Sequence, residues 1–180
     1  TSSDISKRKQ MEEALRESEF RWKFAIEGSG DGVWDVNVQT EEAKYSKRWK
    51  EMLGYSEEDI MEHRHEWINR IHPQDKAKVL AAGQAYLEGL SDSYVVEYRL
   101  QCKDGSYKWM LSRGMIVSHD QNGKPLRVIG TQTDITERKT AQLALQQTRT
   151  ALEESHDRFK DLYEFAPIGY LTISKHGLIT

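Results

Sequence analysis

Residues Tyr94–Thr136 read YVVEYRLQCKDGSYKWMLSRGMIVSHDQNGKPLRVIGTQTDIT. Two dipeptides punctuate the stretch, Asp104-Gly105 and Asn122-Gly123. Both tolerate the positive φ angles of tight hairpin turns, and each sits between apolar runs. The spacing predicts three antiparallel strands in a meander. Val96, Tyr98, Leu100 and Cys102 share one face of the first strand, and Val95, Glu97, Arg99 and Gln101 the other. In the second strand Tyr107, Trp109 and Leu111 alternate with Lys108, Met110 and Ser112. A period of two with one apolar face describes a sheet that must be covered on one side. The third strand ends at Asp134-Ile135-Thr136, where a helical pattern starts at once.

Upstream, Gly28-Ser29-Gly30-Asp31-Gly32 breaks a helical segment. Its glycines precede a strand instead of opening a helix, and their spacing matches neither a dinucleotide nor a P-loop pattern, so it is read as a turn. Val33 to Val38 and Ala43 to Ser46 are expected strands. Arg48 to Leu53 is an expected helix closed by Gly54, and Ser56 caps an acidic first turn. A short helix at Trp67 to Ile71 ends at His72-Pro73, and a longer one from Gln74 or Asp75 stops at Gly89. Two strands, several helices and three strands make an α+β domain: a five-stranded antiparallel sheet with helices on one face.

The chain has 180 residues, with 26 Lys and Arg against 29 Asp and Glu. That slightly acidic balance is no nucleic-acid footprint. No apolar run reaches membrane-spanning length and no signal peptide opens the sequence. A single cysteine, Cys102, fits a reducing compartment. The expectation is a cytoplasmic piece of a longer protein.

The two ends echo the middle. Asp4-Ile5-Ser6 matches Asp134-Ile135-Thr136, 130 residues on, while Ala14-Leu15 matches Ala151-Leu152, 137 residues on. Such long spacings indicate tandem domains instead of a short-repeat solenoid. They differ by seven residues, one heptad, which leaves the phase of a coiled-coil seam intact. Ala141, Leu145, Thr148, Leu152, Ser155, Phe159, Leu162 and Ala166 write out such a seam, and Met11, Leu15, Ser18, Trp22 and Ala25 another. Two readings stand: an amphipathic helix packing on its own domain, or a linker helix pairing with its twin in a parallel homodimer.

Taken in order, Gly32-Val33-Trp34-Asp35, Trp49-Lys50-Glu51-Met52-Leu53-Gly54-Tyr55-Ser56, Ile71-His72-Pro73-Gln74-Asp75, Lys103-Asp104-Gly105, Trp109 with Arg113-Gly114, and Gly130 to Thr136 carry a family likeness. Arg21 to Thr136 resembles a PAS domain with a C-terminal PAC segment. The resemblance implies that residues 1–20 end a preceding PAS repeat and its linker helix. Residues 21–136 would be a complete PAS/PAC domain, 137–162 a linker helix and 163–180 the start of a following PAS domain. It implies a small cavity and a sensory or dimerising role. The parent would be a bacterial signalling protein, a sensor histidine kinase or an enzyme of cyclic-di-GMP, whose output domain lies elsewhere in the same chain.

Candidate site residues follow. Trp34, Trp49, Tyr55, Trp67, Tyr98 and Trp109 either line a small-molecule cavity or fill it as core. By strict alternation Arg113 shares the face of Trp109 and Leu111. A buried guanidinium there needs an anionic ligand or internal carboxylate, unless a bulge at Arg113-Gly114 turns it to water. Asp134, Ile135 and Thr136 form the expected signal relay, with Asp134 or Thr136 capping the next helix. The cofactor is unknown. Photoactive flavin is disfavoured, because Cys102 lacks the Asn-Cys-Arg context of flavin PAS domains. Haem is disfavoured, because Asp75 to Leu90 holds no histidine. His63, His65 and Glu66 suggest metal, but residues two apart on a helix point in different directions, so an exposed loop and no metal are expected. No catalytic set is present in the motif pattern.

Overall fold

The computed structural model describes residues 2–165. Helix α1 spans Ser2–Ser29 and stops where Gly30 takes a φ of +71°. Strands β1 (Gly32–Asn37) and β2 (Ala43–Tyr45) follow. Helix α2 (Lys47–Met52) is capped by the Ser46 hydroxyl, which accepts from the Trp49 amide. After a 3₁₀ turn at Glu57–Asp59 come α3 (Arg64–Arg70) and α4 (Pro73–Leu87). Proline sits at the start of α4, where its missing N–H costs nothing. The meander is β3 (Tyr94–Gln101), β4 (Tyr107–His119) and β5 (Pro125–Asp134), and α5 (Thr136–Phe165) begins two residues after it.

The five strands form one antiparallel sheet in the order β2-β1-β5-β4-β3. The early hairpin therefore joins the sheet beside the last strand, and β5 becomes central. Trp49, Met52, Leu53, Ile71 and Val79 from the helices meet Val96, Tyr98, Leu100 and Met110 from the sheet in one buried cluster. The chain divides into two units at Glu137 and Arg138. No helix among the described residues is long and apolar enough to cross a membrane.

The face expected for β4 is corrected. Met110 is opposite Tyr98 and Ser112 opposite Val96. Residues directly opposed in an antiparallel ladder share a face, so Met110 and Ser112 lie on the core face with Tyr98 and Val96, while Leu111 is buried on the other. Trp109 and Arg113 point the other way. The bulge weighed as the alternative at Arg113-Gly114 is absent: the ladder runs unbroken through both residues, and its irregularity falls between Ile116 and His119. The tandem-domain expectation for residues 163–180 lies, from 166 on, outside the described residues.

Candidate functional site

Between the sheet and the helices lies a cavity of about 70 Å³. Its walls are mainly aromatic: Trp34 from β1, Tyr45 from β2, Trp49 from α2, Trp67 from α3, Tyr86 from α4 and Tyr94 from β3. Arg64 is the one charged residue among those lining it, and Ser112 supplies a hydroxyl.

The floor is set by two glycines. In register, Trp34 is opposite Gly130, Gly130 opposite Gly114, and Gly114 opposite Tyr94. The Trp34 indole lies across both glycines. A Cβ on Gly114 would come within 2.5 Å of the Trp34 ring, and one on Gly130 would clash with that ring and the Arg113 carbonyl. The strand glycines are thus sites of close approach. The indole then meets Tyr94 edge to face at 6.1 Å. Its Nε1 donates to Ser112 Oγ at 3.1 Å.

Most polar tips in the wall are satisfied in this way. The Tyr45 hydroxyl donates to the His63 carbonyl at 3.2 Å, and the Tyr86 hydroxyl accepts from the Ile116 amide at 3.1 Å. Burial pushes the Tyr45 and Tyr94 hydroxyls far above the ordinary phenol range, so both stay neutral donors. Trp49 is the exception. It is fully buried and lines the cavity, yet its indole Nε1 has no hydrogen-bond partner.

A buried chain leads from the cavity wall to β5. Trp67 Nε1 donates to the Tyr98 hydroxyl at 2.7 Å, and that hydroxyl meets the Gln132 amide, whose Nε2 lies at 3.1 Å. Tyr98 and Gln132 are both almost completely buried. Gln132 precedes Asp134 by two residues on the same strand. Asp134 Oδ1 accepts the Thr136 amide at 3.0 Å, satisfying one of the free amides that open α5. Its Oδ2 lies 3.1 Å from Lys108 Nζ. Burial raises the Asp134 pKa, but its contacts with the Thr136 hydroxyl and amide and with Lys108 outweigh that and leave it lowered. The Ile135 amide donates to the Trp109 carbonyl at 2.8 Å, and Thr136 Oγ1 accepts from the Trp109 amide at 3.1 Å. The junction is stitched to β4 on both sides.

The sequence candidates divide accordingly. Trp34 and Trp67 line the cavity, and Tyr98 stands behind Trp67. Trp109 does not line it: its ring lies on the opposite face, 5.3 Å from the Arg99 guanidinium. Arg113 is exposed there too, so it meets no anion in the cavity. The reason is the β3–β4 register. Trp49, one of the aromatic candidates in the sequence, holds the orphan donor, and Gln132, unnoticed there, holds the link to β5.

The histidine pair straddles the loop before α3 and its first turn. His63 is not helical; it precedes α3 with φ −141° and ψ 144°. Its ring stacks on His65 at 4.8 Å, and Glu41 from the β1–β2 turn joins them. Glu66 instead pairs with Arg70 at 2.6 Å.

The sequence profile of the PAS fold family matches residues 42–132, half of the chain. The chain belongs to the PAS fold family. A solved structure from Burkholderia thailandensis, a sensory box histidine kinase/response regulator, is 35% identical with a TM-score of 0.66, over 74% of this chain and 98% of that one. The sensor protein FixL of Bradyrhizobium diazoefficiens is 23% identical over 88% of this chain and 29% of its own length. The probable diguanylate cyclase DgcE of Escherichia coli is 28% identical over 74% of this chain and 12% of its own. The chain thus spans less than a third of these curated relatives. It is a PAS domain homologous to those of histidine kinase and diguanylate cyclase sensors.

Proposed function

We propose that this PAS domain senses a small, largely aromatic ligand in the cavity and passes the change to α5. One observation carries the reading: the buried Trp49 side chain lines the cavity, and its indole N–H lacks an acceptor. An unmet buried donor costs ~1–3 kcal/mol, which a ligand oxygen or nitrogen would recover. The relay runs from Trp67 through Tyr98 and Gln132 to Asp134, Ile135 and Thr136, and the ligand biases two arrangements of the sheet. The setting is a cytoplasmic bacterial sensor kinase or cyclic-di-GMP enzyme acting as a homodimer.

Native mass spectrometry of the purified chain, followed by a thermal-shift screen of small aromatics, tests this. A compound should raise the melting temperature, and Trp49→Phe should abolish that shift while the fold persists. No binder, with Trp49→Phe more stable than the parent, would overturn it.

A second reading has its own support. Leu145, Leu152, Phe159 and Leu162 recur at heptad spacing on α5 and are each about two-thirds exposed. A ligand-free module that only dimerises and spaces its neighbours needs that seam and no open cavity.

A further inference from the structure

The sensing proposal leaves one cluster unused. Glu41, His63 and His65 each bring a ligand atom within 4.8 Å of the others. We infer that they form a site for a divalent transition-metal ion, Zn²⁺ for example, which clasps the β1–β2 turn to the start of α3. Two imidazoles and one carboxylate are a donor set that zinc and its neighbours favour, whereas calcium and magnesium want oxygen alone. Metal–ligand bonds of about 2.0–2.2 Å place tetrahedral ligand atoms about 3.3 Å apart, so each donor moves by on the order of 1 Å at most. Three protein ligands leave a fourth position open to water or to another donor.

The backbone already holds the two segments together. The Arg64 amide donates to the Glu41 carbonyl at 2.9 Å, the Ala43 amide donates to the Glu62 carbonyl at 3.2 Å, and Glu42 bridges His63. The ion exchanges two existing contacts. His63 Nδ1 accepts the His65 amide at 3.1 Å and so carries no proton, which places the ring proton on Nε2. Coordination through Nδ1 takes that lone pair. Coordination through Nε2 moves the proton to Nδ1. Either way the His65 amide loses its acceptor. Glu41 Oε1 lies 3.4 Å from Arg64 Nη1, and the ion replaces that guanidinium as the carboxylate's partner. Arg64 also lines the cavity, so occupancy of the metal site changes where the one charge in the cavity wall is held.

The test is calorimetric titration of the metal-free chain with zinc chloride, with nitrogen-15 spectra recorded in parallel. One ion should bind per chain and shift the His65 amide resonance. Glu41→Gln and His65→Ala should each weaken binding at least ~10-fold. His63→Asn, which keeps a side-chain oxygen able to cap α3, should do the same without lowering the melting temperature of the metal-free chain. His119→Ala and His156→Ala should leave the affinity unchanged. No saturable uptake, or binding that survives His65→Ala or follows His119 or His156, would reduce the cluster to adventitious surface contact and overturn the site.

Discussion

A methyl group on Gly130 would collide with the Trp34 indole and the Arg113 carbonyl at once. Gly130→Ala is therefore expected to cost ~1–3 kcal/mol in urea unfolding, the usual penalty of overpacking. In a Trp34→Ala background the same change should cost clearly less, because only the carbonyl remains to be displaced; equal costs in both backgrounds would remove the indole from the account. Tyr98→Phe probes a different link. It leaves Trp67 Nε1 without its acceptor and Gln132 without its hydroxyl partner, deep in the core. The expected loss is ~1–3 kcal/mol, checked by urea unfolding, with faster amide exchange at Gln132.

The elements differ in how far their sequence announced them. The meander was legible because Asp104-Gly105 and Asn122-Gly123 mark its turns and β3 alternates cleanly; Gly105 and Gly123 do take positive φ. The buried face of β4 was not. Trp109 and Leu111 compete with Met110 for the apolar set, and only pairing across the loop 102–106 decides between them. Nor could local pattern show that β1 would join β5, which is what brings Trp34 onto Gly130 and Gly114. The His63–Glu41 approach likewise depends on a long-range bridge. Trp34 and Trp67 could be picked as cavity candidates because large aromatics must go inside; Trp49, named beside them as an aromatic, gave no local sign of its unmet donor. At this scale Asp134→Ala should cost about 1 kcal/mol, a lost helix-opening bond, and speed amide exchange at Thr136. In the parent protein it should reduce regulation of the output more than it reduces stability; full regulation in a well-folded variant would sink the relay. For α5, Leu152→Glu should abolish self-association in sedimentation at several concentrations. A parent chain that is monomeric throughout would remove the paired seam.

Across the described residues, Asp59, Asp75 and Asp134 are among the aspartates that tie separate elements together. Asp59 in the 3₁₀ turn meets Lys103 at 2.6 Å, Asp75 on α4 meets Arg99 at 2.8 Å, and Asp134 on β5 meets Lys108 at 3.1 Å. The Lys103 ammonium, helped by Ser56, holds the Asp59 carboxyl down at about 2. Arg99 holds that of Asp75 below the ordinary range. Lowered carboxylate pKa values mean that the unfolded chain binds more protons on the acid side. The stability they contribute is complete above about pH 4, the ordinary aspartate value, and is lost as pH falls towards their folded values. Urea midpoints should decline over that window, and Lys103→Met should shallow the decline at its acid end. A midpoint independent of pH there would contradict the three ties.

The Trp34 ring rests on bare backbone at Gly114 and Gly130, and its Nε1 is tethered to Ser112 Oγ of β4. Its angle must then follow the curvature of those two strands. Any added coil in the ladder becomes rotation of a chromophore, visible as a change in near-ultraviolet circular dichroism that Trp34→Phe removes. The domain carries an optical gauge of its own flexing, placed where sheet and cavity share a surface.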